Sequence, residues 1–277
     1  MELGGQALIE GVLVKNKDNI AVSVRKKDKI KTKIDPTPNF SKKFSKIPFL
    51  RGIFILIETL YLGIKYLNYS TEQQLDKGEK ITRFETIFSI IISLAISIGL
   101  FVVLPLFLSK FLAEDRILFN ILDGIFRILI FLSFLFIISL SKDIKRIFQY
   151  HGAEHKAIAC HEKEERLTVN NVKKYSTLHP RCGTSFIIYV LLISIIVFSL
   201  VWSESFYIRI LQRVILIPVI TSLAYELLKI AAKKPSFFIN KIIIYPGLLI
   251  QKITTKEPDN KQIEVAIASV NALTKES

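Results

Sequence analysis

Hydrophobic and polar residues follow different periods in different parts of this chain. Near the amino terminus, QALIEGVLVK, NIAVSVRKK and KIKTKI are short runs rich in β-branched residues, separated by NKDN and KDK. Turn-forming Asn and Asp between such runs predict a small antiparallel β meander within residues 1–46. DPTPNF ends it, because neither strand nor helix continues through two prolines. In IPFLRGIFILIETLYLGIKYLNYS (47–70), Arg51, Glu58 and Lys65 are spaced by seven and share one stripe of an otherwise apolar helix. That pattern predicts a helix lying in or re-entering the membrane interface, or packing its stripe on a cytoplasmic domain; an ordinary tilted span is the alternative.

After a charged linker (71–83), four stretches are apolar enough to cross a bilayer: 84–109, 117–140, 183–203 and 209–231. They pair into one transmembrane hairpin over 84–140 and another over 183–232. The intervening segment, 141–182, continues helically through residue 162, since a lone Gly152 does not forbid a helix. Within the last segment, 233–277, FFINKIIIYPGLLIQKITT (237–255) is apolar but broken by Pro246-Gly247, which predicts an interfacial or re-entrant hairpin. PDNKQIEVAIASVNAL (258–273) predicts a short amphipathic terminal helix. The fold class expected is a mainly α, polytopic helical membrane protein. It has four transmembrane helices, additional interfacial helices and a small N-terminal antiparallel β meander.

Composition agrees: 51% of the 277 residues are hydrophobic. The first forty residues are mixed and charged, unlike a secretory leader. The net charge of +14 is concentrated in the first 46 residues, the 141–182 loop and the region after 229, whereas 110–116 and 203–208 hold few cations. By the positive-inside rule both termini and the long loop are cytoplasmic, in the inner membrane. The partner implied is the lipid bilayer, with anionic headgroups meeting the basic cytoplasmic face. A nucleic-acid partner is disfavoured, because such a surface interleaves its cations with exposed aromatics and needs no spans.

All four histidines and both cysteines lie between positions 151 and 182. On a helix His151 and His155 project from one face, with Glu154 between them. H-x-x-E-H is the arrangement in which two histidines hold Zn²⁺ and the glutamate acts as general base. His179 and Cys182 supply a second half-site at the root of the next span, and Cys160 and His161 follow the helix pair. Imidazole and thiolate select zinc or another borderline-soft divalent ion. Cys160 as a buried small hydrophobe is the competing reading, and a Cys160–Cys182 disulfide is disfavoured in a reducing cytosol. Glu226, near the cytoplasmic end of the last apolar stretch, offers an oxygen ligand or a supporting acceptor, or else a salt bridge to Arg127 or Arg213. Asp123 and Arg127, one turn apart, are expected to pair. Gly4-Gly5-Gln6 matches the tripeptide of translation release factors, but three residues without a soluble scaffold carry no such function. Paired glycines there suit a tight turn or a close backbone approach.

GGQALIEGV, LRGIFILIETL, YHGAEHKAIAC, LTVNNVKKYSTLHPRCGTSF and AYELLKIA resemble, in order and across nearly the whole chain, the YqhQ-like family of bacterial integral membrane proteins. That family is described as predicted metal-dependent enzymes without an established reaction. The resemblance implies that His151, Glu154, His155, Cys160, His179, Arg181 and Cys182 are motif positions. It adds Glu10, Glu58 and Glu226 as supporting carboxylates or alternative ligands; His161 falls where the family more often has an aromatic. The expectation is metal-dependent, hydrolase-type chemistry at the cytoplasmic membrane face. His151, His155, His179, Cys182 and Cys160 are the candidate ligands, Glu154 polarises water, and Arg181 receives an anionic group. A scaffold with structural zinc is the alternative, and a transporter comes third, since so few paired charges lie within the spans.

Overall fold

The computed structural model describes residues 3–38, 44, 46–76, 79, 81–233 and 238–274; the end of DPTPNF and part of the charged linker lie outside them. The predicted meander forms a four-stranded antiparallel sheet in the order β1 (Gly4–Leu8), β2 (Gly11–Lys15), β3 (Asn19–Lys26) and β4 (Lys29–Pro36). Glu10 and Lys27, both at positive φ, turn the first and last hairpins. Between β2 and β3, Asn16 Oδ1 accepts from the backbone of Asp18 and Asn19.

Both faces of the central strands are buried, and alternation divides their residues between two apolar layers. Leu13, Ile20, Val22 and Val24 pack with Leu62 and Tyr66 of α1 (Leu50–Gln74). Val12, Val14 and Ala21 pack against α4 (Lys142–Glu162) and α9 (Asn260–Thr274) through Tyr150, Ala153, Ala157, Ile263, Ala266 and Val270. The sheet is therefore sandwiched between α1 on one face and α4 with α9 on the other. Helix α9 opens with a reciprocal cap between Asp259 and Gln262, as the sequence suggests. Ser269 anchors it: its buried hydroxyl donates to Val12 O at 2.7 Å and accepts from Ser23 N at 3.1 Å.

The stripe on α1 meets three different partners. Arg51 pairs with Glu226, Glu58 with Lys15 at 3.1 Å, and Lys65 with Asp35 at 3.8 Å. Elsewhere on the helix Ile57, Leu60 and Tyr61 are exposed.

Among the described residues, three helices are long and apolar enough to cross a bilayer: α2 (Arg83–Leu112), α3 (Arg116–Ser139), and residues Phe206–Ile230 of α7 (Phe206–Lys233). Helix α2 contains a π-helical turn at Gly99–Val103. The other apolar stretch gives α6 (Thr184–Leu200), whose 17 residues reach about 26 Å, short of a ~30 Å hydrocarbon core. It begins only after the turn at Cys182-Gly183 and ends at extended Val201. A short α5 (Val169–Lys173) lies in the loop between α4 and α6. Exposed Ile, Leu and Phe cover the three long helices, a surface suited to lipid.

The hairpin expected at Pro246-Gly247 is instead one continuous helix, α8 (Phe238–Thr254), with Pro246 inside it. Tertiary packing overrides the break: Ile250 is buried with Ile188, Tyr189 and Leu191 of α6. Replacing Ser269 by Ala should leave Ser23 N–H buried without its acceptor and lower stability by about 1–3 kcal/mol. Thermal unfolding in detergent checks this, and an unchanged midpoint would rule out Ser269 as an anchor.

Candidate metal centre

Helix α4 carries His151 and His155 on one face and packs its other face into the apolar layer. Two backbone segments reach it from outside. At Gly152 a Cβ would fall 2.2 Å from Lys256 O and 3.2 Å from Thr177 Cγ2, so only glycine lets both segments approach this closely. Lys256 N then bonds Phe148 O at 2.9 Å. As a result His151 Nδ1 lies 2.9 Å from Thr254 O, and His155 Nδ1 lies 2.5 Å from Thr177 O. Each imidazole donates through Nδ1 to a carbonyl and keeps Nε2 for another partner, the orientation that metal-ligating histidines require.

Those nitrogens converge with Cys182. His151 Nε2 is 3.3 Å from Cys182 Sγ, and the donor atoms of His151, His155 and Cys182 all lie within 4.8 Å of one another. Tetrahedral Zn²⁺ with bonds of ~2.0–2.3 Å sets donors roughly 3.3–3.8 Å apart, so a small inward adjustment closes the set on one ion. The donor chemistry, two imidazoles and a thiol, fits zinc. Burial pushes the Cys182 thiol up and the His155 imidazole down to about 3. His155 is thus neutral and able to ligate at ordinary pH, while the thiol needs a cation beside it to ionise.

Glu154 is buried at the same centre, its Oε2 3.5 Å from His155 Nε2. Burial pushes its carboxyl up to about 8 against the opposing influence of His151; a divalent cation nearby would favour the ionised form. Gly5 lies against this carboxyl group, with no room there for a Cβ, which explains one of the paired N-terminal glycines as a close approach.

The remaining sequence candidates lie at varying distances from the three donors. His179 lies beside His155, with ring centroids 5.7 Å apart, but its Nε2 is 3.4 Å from Glu162 and its backbone is fixed by Gln251. Arg181 pairs with Glu162. Cys160 is a correction to the ligand set: it projects from the far side of α4 into the apolar layer, its thiol facing the carbonyls of Glu165 and Arg166. Both cysteines are free. Glu226 reaches neither the centre nor Arg127 or Arg213; it holds Arg51 and Phe49 N at the start of α1. Glu10 bonds Arg146 and Tyr150, tying the first hairpin to α4. Glu58 pairs with Lys15.

A cavity of about 230 Å³ adjoins the centre, lined by Gln6 and Lys15 from the sheet, Thr59 and Leu62 from α1, Glu154, His155 and the 179–183 turn. Sequence reasoning missed Lys15, which carries no motif, the place of Gln6 at the cavity, which the Gly4-Gly5-Gln6 tripeptide did not indicate, and the Thr177 and Thr254 carbonyls, which no side-chain pattern can encode. Glu162 had a visible signal, as the carboxylate directly after His161.

The fold and this centre define a helical membrane-type protein whose sheet-containing domain gathers a His/His/Cys group capable of holding a metal. The chain belongs to the DUF1385 family: the model of that family, described as a protein of unknown function, matches residues 47–276. It is 38% identical to the uncharacterized protein YqhQ of Bacillus subtilis (strain 168), over 98% of this chain and 91% of that one. No solved structure matches it. The resemblance drawn from the motifs therefore holds.

His155→Ala or Cys182→Ala should cut bound metal in the purified protein to well under half of the original stoichiometry, while Cys160→Ala should leave it unchanged. Elemental analysis gives the answer; metal retained in both of the first two variants would exclude a single shared ion. Gly152→Ala should lower both metal content and unfolding temperature, because its Cβ displaces the Lys256 carbonyl.

Proposed function

We propose that this protein is a metal-dependent membrane enzyme with hydrolase-type chemistry at the cytoplasmic membrane face. The observation that supports the reading is the oriented trio of His151 Nε2, His155 Nε2 and Cys182 Sγ beside a buried carboxylate, opening on a cavity. Three protein donors leave a fourth position for water or substrate, as in catalytic rather than closed structural sites. His179, held toward Glu162, does not fill it. Zinc bound by the trio would supply Lewis-acid polarisation of a carbonyl or phosphoryl group and of the attacking water.

The chain's own residues have separate tasks. Glu154 accepts a proton from water at its carboxylate and returns it to the leaving group. Thr254 O and Thr177 O hold the imidazoles in the tautomer that keeps Nε2 free. Arg181 and Lys15, both lining the cavity, meet an anionic group of the substrate. Leu3, Leu13 and Leu62 limit water there.

In this reading α2, α3, α6 and α7 all span, with α6 accommodated by local thinning of the bilayer, while α1 and α8 lie at the inner interface. Both termini and the 141–182 segment are cytoplasmic, and anionic headgroups meet the basic face of that side. Cysteines placed at Asp115 or Ser205 should react with an impermeant thiol reagent in intact cells, and one at Glu165 should not. Labelling at Glu165 overturns the topology.

Glu154→Gln separates catalysis from structure. It keeps shape but cannot take the proton. Metal content and thermal stability should remain nearly constant while complementation of a deletion strain is lost. Full complementation would favour a scaffold built around structural zinc, in which losing a ligand such as His151 chiefly costs folding energy.

A further inference from the structure

A second polar cluster is buried among the long helices, away from the metal centre. Asp123 of α3 bonds Arg127 Nη2 at 2.7 Å and Arg213 Nη1 of α7 at 2.6 Å. Arg127 Nη1 donates to Ser194 of α6 at 2.9 Å. Both guanidiniums stack on Phe198, at 4.6 and 4.8 Å from its ring centre. One turn before Arg213, at the end of the bundle remote from the sheet, Arg209 lies 4.6 Å from the rings of both Phe119 and Trp202. Two guanidiniums thus share one buried carboxylate, and a third, Arg209, lies one turn beyond them with one Nη2 contact to the Glu204 carbonyl. The excess is not satisfied internally: Arg127 Nε, and Arg209 Nε and Nη1, are buried without hydrogen-bond partners.

Arg127 also lines a second cavity of about 230 Å³, whose other walls include Leu94, Phe101, Val190, Phe198 and Ile217. Helix α2 forms part of its wall where it winds as a π-helix, through Phe101 and Val102. Such turns recur at functional sites because they open the regular ladder and re-aim side chains. Cations among apolar helices are costly unless paired, and an unbalanced set marks a ligand pathway. Arg209 and Arg213, four residues apart on one face of α7, lead from the remote end of the bundle toward the cavity.

We propose that this cluster and cavity bind one anionic phospholipid, the phosphate engaging Arg209 and Arg213 and an acyl chain entering the cavity past Arg127. The head supplies the missing negative charge, and the apolar walls suit the chain. At this size the cavity takes part of a chain rather than a whole amphiphile, being below the ~300–1,000 Å³ usual for complete small-molecule sites.

The test uses the full-length protein in nanodiscs containing phosphatidylglycerol or phosphatidylcholine, each carrying a diazirine near the end of one acyl chain. Phosphatidylglycerol should label residues of the cavity wall, such as Phe101, Val190 or Ile217, at least fivefold more than phosphatidylcholine. Arg213→Gln leaves Arg127 balanced by Asp123 and should erase that preference. Asp123→Asn removes the internal counter-ion and should strengthen it. Ile217→Trp fills the cavity without touching the ions and should abolish wall labelling, which keeps the test decisive if a charge variant fails to fold. Equal labelling by the two lipids, labelling confined to the basic sheet-containing domain, or a preference surviving Arg213→Gln would each overturn the proposal.

Discussion

Two backbone carbonyls, Thr177 O and Thr254 O, determine whether helix α4 carries a metal centre or merely two histidines on one face. An imidazole free to rotate presents either nitrogen in many directions, and converging two of them on one point costs rotamer entropy. Here that cost is met in advance, because each Nδ1 is already bonded to a fixed carbonyl. Those carbonyls belong to segments 22 and 103 residues further along the chain than the histidines they hold. Their positions depend in turn on the missing side chain of Gly152, on the Lys256–Phe148 hydrogen bond and on the packing of α8 against α6. Even a small displacement of either segment would release a histidine.

The two polar centres of the molecule balance charge in opposite senses. At the α4 centre, a thiol raised by burial, a carboxyl held up by burial and a neutral His155 imidazole would all gain from a divalent ion. Among the long helices, guanidiniums outnumber their carboxylate and await an anion. Both lie between elements distant in sequence, and both adjoin a cavity. Buried charge of this kind adds little to stability. Its retention in an otherwise apolar bundle is consistent with ligand binding.

Much of this was legible in the sequence where one period or one spacing carried the information. β-Branched runs between Asn/Asp turns indicated the meander, i,i+4 spacing put His151 and His155 on one face, and the apolar runs marked the long helices. Legibility failed where a contact depends on tertiary placement. Pro246 resembles a break, yet α8 continues through it because packing on α6 offsets the missing donor. Cys160 and Cys182 are chemically equivalent in the sequence, and only the direction of the α4 face separates a core thiol from a ligand. Glu226 could be assigned to several arginines, and its partner proved to be Arg51, 175 residues away.

The layering of the sheet also orders events in time. β1 to β4 lie far before α9, which covers one of their faces, in the order of the chain. Until Ile263, Ala266 and Val270 dock, Val12, Val14 and Ala21 lack part of their cover, and the segment carrying Thr254 O is not yet tethered beside His151. Contacts of such sequence separation form late. Closure of the sandwich by α9 and delivery of Thr254 O to His151 are therefore coupled steps in folding.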